Sequence, residues 1–231
     1  MSADKQLKTF RELIDIMALL RSENGCPWDR QQTPESLKKH ILEESYELLE
    51  AIDTDNPNDI CDELGDLLLQ IVFQAQIFSE KGNFDIADVA KSISEKLKRR
   101  HPHIFDDASY EGHEQRWEEI KRQERSEKGL PDTLAQRLPK TLPALKRCTK
   151  FAKKCPQKTS TEILAGMHMS LKNIGFLTME YKSKKSELEE EMSQLLLAAC
   201  KLAAVINLDP EDLLRKKTSQ LIYEIDSKHN L

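Results

Sequence analysis

The sequence predicts an all-α protein, and three observations support this fold class. Only 7 of its 231 residues are glycine, so few positions favour tight turns. Charged residues make up 32% of the chain, and the helix formers Leu, Glu, Lys and Ala are abundant. No run of Val, Ile and Thr alternates with polar residues, which is the pattern of a half-buried strand. We therefore expect long helices and no sheet.

Apolar residues at helical spacing predict four helices in the first part of the chain, over residues 5–22, 34–53, 58–80 and 86–100. Gly25 ends the first helix, so Cys26–Asp29 is expected to be a loop. Thr33 and Pro34 are expected to be the N-cap and the first residue of the second helix. Asp85 is expected to cap the fourth helix, which ends before His101-Pro102-His103.

The second part of the chain begins with a highly charged stretch, which is expected to be a linker with one exposed helix over residues 117–125. Four further helices are expected over residues 143–155, 160–174, 184–206 and 210–228. The predicted divisions are an N-terminal domain over residues 1–106, the linker over 107–142, and a C-terminal domain over 143–231.

Composition limits the classes of partner. The chain has 35 Lys and Arg against 40 Asp and Glu, a net charge of −5, so it lacks the basic excess of general nucleic-acid-binding proteins. The longest uncharged stretch, residues 67–79, is too short to span a bilayer. The N-terminus has no apolar signal segment, and the five cysteines form no C-x-x-C pair. We expect a cytoplasmic protein with no nucleic-acid or membrane partner.

The C-terminal part repeats features of the N-terminal part. Glu63-Leu-Gly-Asp66 resembles Glu191-Met-Ser-Gln194, and each is followed by three leucines. Further along the chain, Asp85 and Asp209 occupy similar stretches in the same order. We therefore expect two related helical units, with chance similarity between amphipathic helices as the alternative.

Acidic residues cluster on the second and third predicted helices. Glu44 and Glu47 lie one turn apart with Glu43 beside them, and Glu63 and Asp66 lie one turn apart on the next helix. If the two helices are antiparallel neighbours, four carboxylates can meet at one point. Hard oxygen ligands in that number suit Mg²⁺ or Mn²⁺. The spacing therefore predicts a metal site.

A solvated acidic surface is the alternative, and two details weaken it. The helix dipole favours acidic residues only in the first turn, whereas Glu43–Glu47 lie at least two turns beyond Pro34. Gly65 stands in mid-helix, where glycine costs about 1 kcal/mol relative to alanine. A helix keeps such a glycine more readily where something must approach closely.

Four cations, Lys96, Lys98, Arg99 and Arg100, close the fourth predicted helix just before two histidines. Complementation of the helix dipole is the ordinary reason for basic residues at this position. Four cations exceed that need, and cations beside a divalent metal can hold a polyphosphate.

These motifs resemble those of the MazG family of nucleoside triphosphate pyrophosphohydrolases, which belongs to the all-α NTP pyrophosphatase superfamily. The matching stretches are GCPWDRQQT (25–33), LEESYELLEAID (42–53), DELGDLLLQIVFQAQI (62–77) and FDIADVAKSISEKLKRRHPHIF (84–105). Two later stretches, WEEIKRQERSEKG (117–129) and LPKTLPALKR (138–147), resemble two-copy members of the family. The resemblance implies two MazG-like four-helix units.

The resemblance also implies an activity and the residues that carry it. The reaction would be hydrolysis of an NTP or dNTP between the α and β phosphorus atoms, giving the monophosphate and pyrophosphate and cleansing the nucleotide pool. Glu43 would orient or deprotonate the attacking water, and Trp28 would contact the base or else fill an apolar space in its own domain. The expected Mg²⁺ ligands, with Mn²⁺ as a substitute, are Glu44, Glu47, Glu63 and Asp66. The positions near the phosphates are Lys96, Arg99 and Arg100.

The second copy departs from the family pattern. Gln194 stands opposite Asp66, and residues 163–169 contain no acidic residue where a further acidic helix would be expected. The residues opposite the three phosphate-binding positions are Gln220, Tyr223 and Glu224. The C-terminal domain is therefore expected to be a degenerate copy kept for packing or assembly.

One alternative to the enzyme remains, and a second is set aside. A non-catalytic helical interaction or regulatory protein would result if the first copy had also lost activity. A di-iron carboxylate bundle uses Glu-x-x-His, which this chain lacks. We also expect a homodimer, because the apolar runs over 67–78 and 195–206 exceed what one antiparallel neighbour covers.

Overall fold

The computed structural model describes residues 3–106, 112–155 and 158–229, and its regular structure within these ranges is helical, as predicted. The first helices are α1 (Ala3–Arg21), α2 (Pro27–Gln31), α3 (Lys38–Thr54), α4 (Pro57–Glu80), α5 (Ile86–Arg100) and α6 (Pro102–Phe105). The remaining helices are α7 (His113–Glu127), α8 (Leu134–Arg137), α9 (Ala144–Ala152), α10 (Ser160–Thr178), α11 (Lys185–Val205) and α12 (Pro210–His229).

The chain divides into two compact units, Met1–Trp117 and Glu118–Leu231. The division falls inside α7 and within the stretch expected to be a linker, whose residues 107–111 lie outside the described ranges. The assignment of these parts as a catalytic domain, a linker and a degenerate copy stays a prediction.

The core of the first unit is built on the second half of α4. Val72, Phe73 and Ile77 are buried there against Met17 of α1 and Leu37, which precedes α3. Their spacing places them on one face of the helix. Burial of the second half of α4 holds the whole helix against α1 and α3, and so positions its first half, which carries the predicted metal ligands.

Arg21 joins the ends of α1 and α4. Its side chain is 7% exposed and donates two hydrogen bonds of 2.7 Å to the carboxylate of Glu80. The same guanidinium donates to the backbone carbonyls of Asp29 and Gln32. A buried charge needs such partners, and here they tie the α2 segment to both long helices.

Two local predictions near α2 were wrong. Cys26–Asp29 is not a loop, because Pro27 begins the short helix α2 at a position where its missing N–H is not needed. The next helix, α3, begins at Lys38 and not at Pro34. The N–H of Ser36 donates to Thr33 Oγ1 at 3.2 Å, and the N–H of Thr33 donates to Ser36 Oγ at 2.9 Å. These reciprocal bonds close a separate turn over residues 34–37, so Thr33 caps the turn.

The predicted cap of α5 is confirmed. Asp85 Oδ1 accepts hydrogen bonds from the N–H groups of Ala87 and Asp88, at 2.8 and 3.1 Å. Asp88 returns a bond by accepting from the N–H of Asp85 at 3.2 Å, which completes a capping box.

In the second unit, α11 packs against both α9 and α10. Cys200 and Ala203 of α11 are buried, as are Ala152 of α9 and Ile163 of α10. Asp209 begins α12 by accepting a hydrogen bond from the N–H of Glu211 at 3.3 Å.

Among the described residues, no single helix is long and apolar enough to cross a membrane. Lys185–Val205 and Pro210–Lys228 reach that length and hydropathy only when they are joined, and they are bent from each other by 109°.

Candidate metal centre

The carboxylate site is built on α3 and α4, which are neighbours in space. A short connection joins the two helices and reverses the direction of the chain. Asp55 ends α3 in the left-handed conformation, with φ 56°, and Asn56 caps α4 by accepting a hydrogen bond from the N–H of Asn58. This tight reversal places the middle of α3 beside the first half of α4.

Three carboxylates converge where these helices meet. Glu44 from α3 and Glu63 and Asp66 from α4 each offer an oxygen, and these oxygens all lie within 4.8 Å of one another. At this separation three ionised carboxylates repel one another, and a bound cation would offset the repulsion. Three carboxylate oxygens at this separation form a donor set that suits a hard divalent cation.

Glu47 is close enough to this group to raise the pKa values of two of its members. Partial burial raises the pKa of Glu44, and the charges of Asp66, Glu47 and Glu63 raise it further, while His40 lowers it. Partial burial also raises the pKa of Glu63, and Glu47 is the strongest of the acidic neighbours that add to this effect. The charge of Glu47 therefore affects a carboxylate on each of the two helices. Its own carboxylate is exposed and lies outside the group of three.

One atom of the cluster is left without a partner. Glu63 Oε2 is sealed from solvent and accepts no hydrogen bond from the described residues. A buried anionic oxygen without a donor is strongly unfavourable unless a cation or a donor satisfies it. The residues present therefore fit a bound divalent metal.

Gly65 leaves the surface beside the cluster open. Apart from its chain neighbours and the backbone of its own helix, a Cβ atom built at this position would meet no atom of the described chain within 4 Å. Packing within the unit therefore does not require glycine at this mid-helix position. The close approach expected at Gly65 is not made by another part of the described chain.

Glu43 faces a different partner from the other acidic residues. Its Oε2 lies 3.0 Å from Nδ1 of His40, one turn earlier on α3. The imidazole of His40 in turn lies edge-on to Trp28, with ring centres 6.2 Å apart. Trp28 is 54% exposed, so it does not fill an apolar interior space. His40 was not predicted as a site residue, although its spacing of three residues from Glu43 is a local signal.

The predicted phosphate-binding cations lie along the last turns of α5. Lys96 and Arg100 are partly buried and Arg99 is exposed. The guanidinium carbon of Arg100 lies 5.2 Å from the ring centre of Trp117, and the His101 ring lies 5.3 Å from the same ring. The contact of Trp117 with Arg100 was not predicted, because no local spacing in the sequence relates the two residues.

The corresponding acidic residues of the second unit are bound to amides. Asn173 Nδ2 donates to Glu191 Oε1, and Gln194 Nε2 donates to Glu190 Oε1, both at 2.7 Å. A groove of about 630 Å³ lies beside them. In the ranges that the structure describes, Glu44, Glu63 and Asp66 are the one set of three metal-ligating side chains that converge.

Comparison with known proteins gives a consistent result. Residues 32–105 match the family model of the MazG nucleotide pyrophosphohydrolase domain. The chain is similar to a nucleoside triphosphate pyrophosphohydrolase/pyrophosphatase MazG of Thermotoga maritima, with 41% identity over 218 residues, 92% of this chain and 82% of the relative. It is 39% identical over 213 residues to a nucleoside triphosphate pyrophosphohydrolase of Escherichia coli K12, which covers 88% of this chain and 81% of the relative.

A further relative has no assigned activity. The uncharacterized protein YabN of Bacillus subtilis is 47% identical over 153 residues, which is 64% of this chain and 30% of that protein. The residues matched by the family model include the acidic residues of α3 and α4 and the cations of α5, but not Trp28.

Proposed function

Because the chain belongs to the MazG family of nucleoside triphosphate pyrophosphohydrolases, we propose that it hydrolyses nucleoside triphosphates to the monophosphate and pyrophosphate at the carboxylates of α3 and α4. The observation that carries this proposal is the convergence of Glu44, Glu63 and Asp66 around the sealed oxygen of Glu63. The nucleotides concerned are made and used in the cytoplasm, which is where we place the protein.

Glu44, Glu63 and Asp66 hold a divalent metal in this proposal, with Glu47 as a fourth ligand. Mg²⁺ is the expected ion and Mn²⁺ a substitute, because both prefer carboxylate oxygens. When bound, such an ion neutralises the triphosphate and lowers the pKa of a coordinated water.

Glu43 takes the proton of the attacking water. Its carboxylate is 59% exposed, so water reaches it, and the hydrogen bond with His40 fixes its direction. The water oxygen forms a bond to the α phosphorus while the bond from that atom to the bridging oxygen breaks, and the bridging oxygen leaves with pyrophosphate. Lys96, Arg99 and Arg100 stabilise the charge on the departing pyrophosphate.

Product analysis tests the proposed reaction. Purified protein is incubated with each NTP and dNTP plus Mg²⁺, and the products are separated. The monophosphate with pyrophosphate is expected. The diphosphate with phosphate would indicate a different chemistry, and no turnover would favour the non-catalytic interaction protein.

We also propose that the chain is a homodimer, and the structure changes the reason. The apolar side chains of α4 over 67–78 are largely buried within the first unit, so this run does not call for a partner. Exposed apolar residues follow α3 instead, at helical spacing: Leu42, Tyr46, Leu49 and Ile52 are 56, 42, 41 and 50% exposed. A stripe of this kind is typical of a surface that a second copy covers.

Light scattering tests the dimer. The native chain is expected at twice 26.6 kDa at micromolar concentration. Leu49→Lys is expected to give the monomer, because it places a charge in the stripe, whereas Leu7→Lys on α1 is expected to leave the mass unchanged. A native chain that scatters as a monomer would refute the proposal.

A further inference from the structure

Gln70 is a buried residue whose amide oxygen has no hydrogen-bond partner among the described residues. The residue is 7% exposed, and its Oε1 is sealed from solvent with no donor among the described residues. Buried polar groups in folded proteins are nearly always paired, because water would otherwise satisfy them better. An apolar side chain of the same size would fit this position at lower cost, so the amide calls for an explanation.

The position of Gln70 relates it to the carboxylate cluster. It follows Asp66 by four residues, so the two side chains leave α4 on the same face, one turn apart. One turn further, Gln74 Nε2 donates to the carbonyl of Pro34 at 3.3 Å. Along the helix pair, Asp66 therefore lies beside Glu44, and Gln74 lies beside the turn that precedes α3. Gln70 lies between these two levels.

The matching level of α3 carries His40. His40 precedes Glu44 by four residues, just as Gln70 follows Asp66 by four, so both lie one turn from the cluster toward the same end of the helix pair. His40 is in edge contact with Trp28, whose ring is largely exposed. The layer next to the cluster therefore brings an amide, an imidazole and an accessible aromatic ring to one end of the helix pair.

This layer has the chemistry that recognises a nucleobase. A base stacks on an exposed aromatic ring, and its edge presents adjacent hydrogen-bond donors and acceptors. One helical turn is about 5.4 Å, and the ribose separates the base from the reacting phosphorus by a distance of that order. We propose that Gln70 reads the hydrogen-bonding edge of the nucleobase and so determines which nucleotides the site prefers. This inference rests on the proposed function, since it takes the phosphates to lie at the carboxylates.

The amide suits this task because it carries one acceptor and two donors on a single plane. The sealed oxygen lacks a donor, and the exocyclic amino group of adenine or cytosine supplies one. Bases that carry an oxo group at that position, as in ITP and UTP, offer an acceptor instead. We therefore expect the amino-bearing nucleotides to bind more tightly than their oxo counterparts.

Binding measurements test the proposal without requiring turnover. The Kd values of α,β-methylene analogues of ATP, ITP, CTP and UTP are compared in the native chain and in Gln70→Met, with Mg²⁺ present. The native chain is expected to prefer an amino nucleotide over its oxo counterpart by ~10-fold, as one hydrogen bond can provide. In Gln70→Met this ratio is expected to fall to about one, while the Kd of ribose 5′-triphosphate, which has no base, is unchanged.

Stability provides an independent readout. Gln70→Met is expected to raise the Tm of the ligand-free chain, because it removes a buried amide oxygen that has no donor among the described residues. Gln74→Met is the matched control: it loses the bond to Pro34, so its Tm is expected to fall while base preference is unchanged.

Unaltered base preference in Gln70→Met would overturn the proposal. A fall in Tm with unaltered preference would show that the amide is structural and paired with a buried water. If the native chain binds the analogues but does not hydrolyse NTPs, the proposed function is wrong. The Kd ratios still decide whether Gln70 determines base preference.

Discussion

Burial distinguishes the carboxylates of α3 and α4, and it shows which substitutions are informative. Glu44 and Glu63 are partly buried, whereas Glu47 and Asp66 are exposed. Replacing an exposed carboxylate with its amide removes a charge and leaves the packing of the unit intact. Changes at Glu47 and Asp66 therefore separate chemistry from folding.

Glu47→Gln and Asp66→Asn are each expected to lower the rate of pyrophosphate release at least ~100-fold, because a metal ligand is lost and the triphosphate is no longer held in place. Far-UV circular dichroism is expected to match that of the native chain. Full activity in both variants would show that the site has been assigned to the wrong residues.

The raised pKa values of Glu44 and Glu63 predict how a metal stabilises the chain as pH changes. A carboxyl whose pKa is raised by folding favours the folded chain below its unfolded value of 4.5, and this contribution is lost as pH rises through the folded pKa. A divalent metal competes with those protons and offsets the repulsion between the ionised groups.

Mg²⁺ is therefore expected to raise the Tm more at pH 7 than at pH 5. Thermal unfolding with Mg²⁺ and with EDTA at several pH values measures the effect. Glu63→Gln is expected to abolish the difference, whereas Glu191→Gln is expected to retain it. An increment that is the same at both pH values would contradict a metal site made of these carboxylates.

At the scale of the elements, the ion pair between Arg21 and Glu80 holds the ends of α1 and α4. The hydrogen bonds from Arg21 lower the pKa of Glu80, more than partial burial raises it. A carboxyl whose pKa is lowered by folding stabilises the folded chain above its unfolded value of 4.5, and this contribution is lost as pH falls through the folded pKa.

Glu80→Gln is expected to destabilise the chain by about 1–2 kcal/mol at pH 7, because the buried guanidinium of Arg21 loses a charged acceptor. The difference from the native chain is expected to shrink as pH falls below 4.5, the unfolded pKa of Glu80. Urea unfolding at pH 7 and pH 3.5 measures it. A gap that widens at the lower pH would show that the pair does not stabilise the fold.

The sequence predicts an element well where its signal is local. Asp85 and the turn after Glu80 define the start of α5, and both signals lie within a few residues of the helix. The predicted start of α3 was wrong because Thr33 can cap either a helix or a separate turn. Its hydrogen bonds with Ser36 close the turn. α2 was missed because its five residues are held in part by Arg21, which approaches from another helix.

The candidate site shows the same division. Spacing of three residues predicts that Glu44 and Glu47, and likewise Glu63 and Asp66, share a face, and the structure brings three of these four together. The direction of Glu43 depends on His40, and the support of Arg100 depends on Trp117 from α7. Neither the sealed amide oxygen of Gln70 nor the contact of Arg100 could be predicted, because both depend on how helices pack.

At the scale of the whole molecule, the two units begin matching helices in the same way. Asp209 caps α12 as Asp85 caps α5, which supports the proposal that the units are related. Their acidic residues differ, because Glu191 is held by the amide of Asn173 whereas the sealed oxygen of Glu63 has no donor among the described residues. An amide satisfies a carboxylate without a metal, so the second unit has no need of a cation at this position.

This asymmetry predicts that activity resides in the first unit. Glu63→Gln in the full chain is expected to remove nearly all turnover, whereas Glu191→Gln, the same change at the corresponding position, is expected to cost almost nothing. A fragment of residues 1–125 is expected to bind Mg²⁺ and retain some hydrolysis, with circular dichroism as the check that it is folded. A fragment of residues 140–231 is expected to do neither, because the amide of Asn173 already binds Glu191 and because Met167, His168 and Met169 supply no carboxylate. If Glu191→Gln proved inactive and Glu63→Gln active, the catalytic copy would be the second one, because a carboxylate that binds the essential metal cannot be neutralised without loss of turnover.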